Sequence, residues 1–213
     1  MTSPGPVTAS DVRTAVALAL DALEQATDLD WQVPAADLNW TVWETVEHIA
    51  DDLFAYAGQL SPEREPLTSY VPFAWTRRPD GPALTVWVKP EDGVAGLLQV
   101  LDASGGLLAA LVEIRPPHRR GFHPFGVSDP EGFAAMGLVE VLAHMHDVAG
   151  ALGLTWQPPA DLCDRVLWRL FPDAPRDGDR WAVLLWATGR GTLPGRGRLK
   201  SWRWYGETRP QQR

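Results

Sequence analysis

The chain has 213 residues, of which 45% are hydrophobic and 22% charged, a balance that excludes a mainly disordered protein and supplies enough apolar residues for a core. The formal net charge of −8 argues against a general nucleic-acid-binding role. Cys163 is the single cysteine, which excludes an internal disulfide and fits a reducing cytosol.

No apolar run is expected to span a membrane. The best candidate, residues 12–23, is shorter than the roughly 20 residues that a bilayer requires, and it contains Arg13 and Asp21. Residues 1–10 lack the basic and then apolar pattern of a secretory signal. These features predict a cytoplasmic protein without membrane contact.

Charge is distributed unevenly along the chain. Residues 190–213 contain six Arg, Lys200 and one acidic residue, Glu207, which gives this tail a charge of +6 and leaves −14 on the rest. The sequence Trp202-Arg203-Trp204-Tyr205 interleaves aromatic and basic groups, as single-strand binders do. We favour the alternative that charge and Trp packing hold the tail against the acidic body. The 11 Trp indicate a large core or a pocket lined by flat rings.

Two amphipathic helices come first in chain order. The first is predicted over residues 11–26, with Ser10 as its N-cap. The second begins after Thr41, because Thr41 and Glu44 form a capping-box pattern in which each side chain accepts a backbone N–H. It is expected to continue to residue 60, before Pro62.

The next part of the chain differs in character. Residues 69–75 and 83–88 flank a turn-forming sequence at 77–81, which predicts a β-hairpin. A third helix is predicted over residues 91–114. The sequence Ser104-Gly105-Gly106 within it predicts a kink or a break.

A fourth long helix follows a loop. It is expected to begin at Ser128 or Asp129, with Pro130 in its first turn, and to end before Gly153. Shorter helices are predicted at 160–171 and 180–188, followed by an irregular remainder rich in Gly and Arg. Four long helices with one long crossover form a bundle, so the predicted fold class is mainly all-α. We expect residues 1–153 to form the bundle, and residues 154–213 to form an extension packed on it within a single domain.

Glu140, His144 and Asp147 share one stripe of the fourth helix, because they are spaced by four and three residues. A carboxylate and an imidazole one turn apart beside a bundle core are a recurrent way to hold a divalent metal. A third ligand must come from another helix, and His48 in the second helix is the natural candidate. The alternative is a solvated face, since Glu–His pairs at this spacing are common there and His48 lies among acidic residues.

Three other residues are assigned structural roles. We expect His146 to be a core histidine rather than a ligand, because its neighbours on the helix are apolar. Cys163 is expected to be a buried helical thiol rather than a nucleophile, since no partner His can be assigned to it. His123 could line the mouth of a pocket, but a role in the turn before the fourth helix is favoured.

Two motifs resemble the DinB-like helical bundles. Residues 39–50, Asn-Trp-Thr-Val-Trp-Glu-Thr-Val-Glu-His-Ile-Ala, are similar to that family's opening W-(S/T)-V-x-(D/E)-x-V-x-H-(L/I)-A. Residues 140–147 are similar to its second motif, E-x-x-x-H-x-x-D. The resemblance covers about residues 8–153 and is closest to the N-terminal domain of mycothiol-dependent maleylpyruvate isomerases.

The resemblance implies that His48, Glu140 and His144 bind a divalent metal, usually zinc in that family. Three ligands and an open position would allow a thiol to bind the metal and lose its proton, with Asp147 orienting a ligand. The thiol would be mycothiol if the source is actinobacterial. The isomerases carry a separate C-terminal α/β domain that residues 154–213 do not resemble, so the isomerase activity is not carried over. The chain looks more like stand-alone actinobacterial relatives.

The leading hypothesis is a metal-dependent enzyme that activates a low-molecular-weight thiol for transfer to, or isomerisation of, a small electrophile. One alternative is a metal-dependent hydrolase in which Glu44, Glu47 or Asp147 is the base. Another is a non-catalytic small-molecule-binding or scaffold protein. Arg190 or Arg203 is a candidate contact for an anionic ligand. The expected partners are the thiol and the electrophile, without nucleic acid or membrane, and the chain is expected to be a monomer or a homodimer.

Overall fold

The computed structural model describes residues 3–208. Within that range there are six α-helices: α1 (Ala9–Leu23), α2 (Val42–Leu60), α3 (Gly93–Ile114), α4 (Pro130–Leu152), α5 (Ala160–Leu170) and α6 (Arg180–Ala187). Two short strands, β1 (Thr76–Arg77) and β2 (Ala83–Leu84), lie between α2 and α3. The fold is therefore mainly α, as the sequence predicts.

The first four helices form the bundle, and α4 lies at its centre. α4 contacts α1, α2 and α3 on its sides, and α5 also packs against it. From Pro130 to Ala149, only Glu131 and His146 are partly exposed. The polar side chains of Glu140, His144 and Asp147 are therefore buried within the fold.

α1 begins earlier than predicted. Thr8 is its N-cap: the Thr8 hydroxyl accepts from the Asp11 N–H, and the Asp11 carboxylate accepts from the Thr8 N–H at 2.8 Å. The expected cap, Ser10, lies inside the first turn. Ser10 has Arg13 three residues later, which cannot return the second bond of a capping box, whereas Thr8 has Asp11. A 3₁₀ turn at Glu24–Ala26 replaces the predicted last turn.

The predicted ends of α2 and α4 are confirmed. At the start of α2, Thr41 and Glu44 form the reciprocal capping box, with N–H to oxygen distances of 3.0 and 3.1 Å. At the start of α4, Asp129 accepts from the Gly132 N–H at 2.8 Å. Gly153 ends α4 in the left-handed conformation that favours glycine.

α3 is uninterrupted, so the predicted break at Ser104-Gly105-Gly106 is wrong. Gly105 faces α1, and a Cβ atom on it would lie 2.7 Å from Cγ2 of Val16. The glycine therefore permits close approach of two helices, and the packing outweighs its low helix propensity. A 3₁₀ turn at Pro90–Asp92 precedes the helix.

The segment Pro90–Ile114 has the length and composition of a membrane span, which corrects the expectation that no segment does. In the structure most of this segment is α3, which packs against α1 and α2. Leu97, Leu101 and Leu108 of α3 are buried in the bundle core. In the most apolar part of this segment 39% of the window is buried, and a helix that packs on one side in a bundle core can have the same length and composition as a membrane span.

The predicted hairpin is present but much shorter than expected. β1 and β2 pair antiparallel over two residues each, and residues 69–75 lie outside the strands. Beyond β2 the backbone bonds to α2 instead of to a second strand. Asp51 accepts from the Thr85 and Val86 N–H groups at 2.7 Å each, and Glu47 accepts from the Val88 N–H at 3.0 Å. These carboxylates take the place of ladder partners, which explains why the strand stops.

The extension after α4 packs back onto the bundle. α5 contacts α4, and α6 contacts α5. In the tail, the Gly206 N–H donates to the Phe125 carbonyl at 2.9 Å, and the Ser128 hydroxyl donates to the Gly206 carbonyl at 2.6 Å. The buried Trp204 packs beside them. Two basic residues of the tail, Arg209 and Arg213, lie outside the described residues.

Candidate metal centre

His48, Glu140 and His144 converge between α2 and α4. Glu140 Oε2 lies 3.6 Å from His48 Nε2 and 3.2 Å from His144 Nε2. One potential ligand atom from each residue lies within 4.8 Å of the other two. Donors on a tetrahedral ion with bonds of about 2.0–2.1 Å are separated by about 3.3 Å, so the two distances from Glu140 are close to those expected around one shared ion.

The chemistry of this donor set fits a divalent metal. Two imidazole nitrogens and one carboxylate are the ligands of catalytic zinc sites that keep a fourth position open. All three side chains come from helices, whose backbones hold them in place. The group of His48, Glu140 and His144 could therefore hold a metal ion.

The electrostatics of the group favour positive charge at its centre. Burial alone would raise the pKa of Glu140, but hydrogen bonds from His144 and His48 hold it well below its usual range. Burial alone would lower the pKa of His48, but the charges of Asp52 and Glu140 outweigh it and raise this pKa. A metal ion would compete with these protons for the same lone pairs.

Asp147 and Arg190 lie on the far side of the His144 ring. Asp147 Oδ2 is 3.3 Å from His144 Nδ1, and Arg190 Nη2 is 2.6 Å from the same carboxylate oxygen. Burial would raise the pKa of Asp147, but hydrogen bonds from His144 and Arg190 lower it. Asp147 therefore lies within hydrogen-bond distance of His144, and its role in orienting a ligand stays a prediction. Because Arg190 is paired with Asp147, its contact with an anionic ligand stays a prediction.

Arg203 lies elsewhere, in the tail. Its guanidinium carbon is 4.7 Å from the centroid of the Tyr205 ring and 5.3 Å from that of Phe125. Arg203 also lies 4.0 Å from the Glu207 carboxylate. An anionic ligand at Arg203 likewise stays a prediction.

Three residues beside the group were not assigned a role from the sequence. Asp52 Oδ2 lies 3.4 Å from His48 Nε2, and burial raises the pKa of this carboxyl although His48 opposes the shift. Burial also raises the pKa of the Tyr56 hydroxyl, which faces Asp52 and Glu140. The signal was available, since Asp52 and Tyr56 follow His48 at successive intervals of four residues on α2.

The third neighbour is Trp40, which precedes α2. Its ring centroid lies 4.8 Å from that of His48 and 6.1 Å from that of His144. Trp40 therefore covers both imidazoles with an apolar ring. The sequence motif contains this residue, but spacing alone does not reveal which way a side chain outside the helix turns.

The carboxylates proposed as hydrolytic bases are already engaged. Glu44 caps α2, and Glu47 is fully buried and paired with Arg78 of the hairpin turn. Asp147 is held by Arg190. The carboxylate oxygens with which a hydrolytic base would accept a proton thus already accept hydrogen bonds in structural contacts.

The three residues assigned structural roles from the sequence have different outcomes. Cys163 is buried as predicted, and burial raises the pKa of its thiol to about 12. His146 is only partly buried, against the Trp181 ring at 5.9 Å, so its placement in the core is wrong. Its side of α4 faces α6 rather than the bundle interior. His123 lies in the loop before α4 and is buried among aromatic rings.

The comparisons with known proteins place the fold and these residues in one family. A family model for the DinB superfamily matches residues 12–148. The matched range covers more than half of the chain and includes His48, Glu140 and His144. No curated protein and no solved structure matches the chain. The chain belongs to the DinB superfamily.

Proposed function

We propose that this protein is a divalent-metal-dependent enzyme that activates a low-molecular-weight thiol for reaction with a small electrophile. The observation that carries the proposal is the convergence of His48, Glu140 and His144 on one point, with ligand atoms spaced for a single ion. A bound divalent ion would supply an open position in which a thiol has a lowered pKa and becomes a nucleophile at neutral pH.

The residues around the group have defined parts in such a reaction. His48, Glu140 and His144 would hold the ion, and Asp147 would orient His144. Trp40 would limit access of water to the two imidazoles. Tyr56 faces Glu140, where its hydroxyl can donate a hydrogen bond to the carboxylate.

The finer assignments are part of the proposal. Zinc is favoured because two imidazoles and a carboxylate are typical of catalytic zinc. Mycothiol is favoured as the thiol because the motifs at residues 39–50 and 140–147 resemble those of the mycothiol-dependent isomerases. We further propose a cytoplasmic monomer or homodimer without nucleic-acid or membrane partners, in which residues 1–153 and 154–213 form a single domain.

Metal content is the first test. The protein should be purified without affinity metals, and its metal measured by mass spectrometry beside His48→Ala, His144→Ala and the control His118→Ala, an exposed histidine of the loop before α4. We expect roughly one ion per chain in the wild type and the control, and loss in the other two variants with helicity retained. Absence of metal after reconstitution with zinc, manganese, nickel and iron would overturn the proposal.

Thiol dependence is the second test. Titration of the metal-loaded protein with mycothiol, glutathione and cysteine should perturb the spectrum of a cobalt-substituted sample, and His48→Ala should abolish the change. Turnover of ester or amide panels without any thiol would favour the hydrolase instead. A metal whose removal changes only thermal stability would favour a scaffold.

A further inference from the structure

We infer that Arg190 is a positioning residue for the metal ligand His144, acting through Asp147, so that the C-terminal extension completes the metal site. The inference rests on the metal site of the proposed function but not on its thiol chemistry. It concerns the extension, because Arg190 lies outside the range of residues 12–148 that matches the family model.

Arg190 holds the Asp147 carboxylate by several contacts. Its Nε donates to both carboxylate oxygens at 3.0 Å, and its Nη2 donates to Oδ2 at 2.6 Å. The Asp147 side chain is 6% exposed and that of Arg190 is 11% exposed, so water competes weakly for these bonds. A guanidinium that contacts both oxygens fixes the rotation of the carboxylate as well as its position.

The orientation of Asp147 decides which nitrogen of His144 carries the proton. A metal on Nε2 takes that lone pair, so the proton of the neutral ring must sit on Nδ1 and needs an acceptor. Asp147 Oδ2 and Arg190 Nη2 each lie 3.3 Å from Nδ1, but the guanidinium only donates hydrogen bonds, so of the two groups only the carboxylate can accept this proton. A carboxylate held there therefore selects the form of His144 that leaves Nε2 free to bind, on the side that faces Glu140.

Arg190 is itself held in a fixed place after α6. Its backbone N–H donates to the Leu185 carbonyl at 2.7 Å, and its Nη1 donates to the Thr188 carbonyl at 3.2 Å. Gly189 adopts φ of 69°, a left-handed conformation that turns the chain back toward α4. The end of α6 thus presents the guanidinium to Asp147 from a rigid turn rather than from a loose tail.

A positioning role and a simple charge effect predict opposite results. Arg190 carries a positive charge close to a site for a cation, so its removal should tighten metal binding if only charge mattered. Removal should weaken metal binding if Arg190 holds Asp147 and His144 in place. Loss of an outer partner of a metal-ligating histidine typically costs about 10–100-fold in affinity.

The test measures zinc affinity by chelator competition in the full-length protein. We expect Arg190→Ala to bind zinc about 10–100-fold more weakly than the wild type. Arg190→Lys keeps the positive charge but lacks the planar guanidinium that contacts both carboxylate oxygens, so its zinc affinity should lie between those of Arg190→Ala and the wild type. Lys200→Ala removes one positive charge from an exposed position in the same extension and should leave the affinity unchanged.

A double variant tests the route through Asp147. If Arg190 acts only through that carboxylate, Arg190→Ala combined with Asp147→Asn should bind zinc no more weakly than Asp147→Asn alone. Circular dichroism and thermal melting report whether each variant is folded. A further test uses the wild type alone. The ¹⁵N NMR spectrum of the zinc-loaded protein should show that Nδ1 of His144 carries a proton and that Nε2 binds the metal.

Each outcome bears on the inference. Unchanged or tighter zinc binding in Arg190→Ala would overturn it, as would zinc on Nδ1 of His144 in the wild type. Absence of any metal from the wild type would overturn both the inference and the proposed function. Zinc bound as expected, but without activity toward any thiol, would overturn the proposed function and leave the inference standing.

Discussion

Arg78 in the hairpin turn pairs with Glu47 on α2, one residue before the candidate ligand His48. Arg78 Nη2 donates to Glu47 Oε1 at 3.3 Å, and the same oxygen accepts from the Val88 N–H at 3.0 Å. Glu47 is fully buried, so it joins both ends of the hairpin segment to the helix that carries His48. The insertion between α2 and α3 is therefore fixed to the helix that forms one wall of the metal site.

Glu47→Ala should lower the free energy of unfolding by about 2–4 kcal/mol, because it leaves Arg78 with only its 4.0 Å contact to Glu44 and leaves the Val88 N–H without an acceptor. The control is Glu63→Ala. Glu63 pairs with Arg115 at 3.3 Å, but its side chain is 91% exposed, so the expected change is below about 1 kcal/mol. Urea unfolding followed by circular dichroism measures both, and equal effects would contradict the assignment of Glu47.

Two adjacent glycines of α3 should respond to alanine in opposite directions. Gly105→Ala places a methyl group 2.7 Å from Val16, and we expect overpacking to cost about 1–3 kcal/mol. A Cβ on Gly106 meets nothing within 4 Å, so Gly106→Ala should stabilise the helix by roughly 0.5–1 kcal/mol. Thermal melting of the two variants beside the wild type tests this pair. A stabilised Gly105→Ala would mean that α1 and α3 are less closely packed.

His123 should make the fold sensitive to acid. Burial lowers the pKa of His123 from 6.5 to about 4, although Glu140 opposes the shift, and Nδ1 accepts from the Phe125 N–H at 3.1 Å. Between pH 6.5 and 4 the unfolded chain binds a proton that the folded chain does not, so stability falls as the pH drops through this window. The contribution is roughly 2–3 kcal/mol at its lower end.

The measurement is the free energy of unfolding against pH in chelator-treated protein. His123→Gln should lose less stability than the wild type between pH 6.5 and 4. His118→Gln, which changes an exposed histidine of the same loop, should follow the wild type. Parallel curves for all three proteins would show that the pKa of His123 is the same in the folded and unfolded states, which would contradict the prediction.

Local signals on the chain predicted most of the helices. The capping box at Thr41 and Glu44, and Asp129 before Pro130, set the first turns of α2 and α4 because both depend on residues three apart. The predicted break in α3 was wrong because the sequence does not distinguish a glycine that breaks a helix from one that allows a neighbouring helix to pack closely, as Gly105 does. The neighbour, Val16, is far away along the chain.

The candidate site also combines features that local spacing predicted with features that it did not. Glu140 and His144 lie one helical turn apart, so spacing alone predicted that they share a face. His48 was a candidate because ligands in a bundle come from facing helices, and the family resemblance supported it. Nothing in the local pattern gives the distance between α2 and α4. The bond between Asp147 and Arg190 joins residues 43 apart in sequence, and no periodicity connects a helix to a turn beyond α6.

The C-terminal extension, residues 154–213, contacts α4 near both ends of the helix. Its tail bonds to Ser128 beside the first turn, and Arg190 bonds to Asp147 in the last turns. A growing chain completes all four bundle helices before either contact can form, because synthesis reaches Arg190 and Gly206 afterwards. We therefore expect a nascent chain to contain His48, Glu140 and His144 before the contact between Arg190 and Asp147 can form.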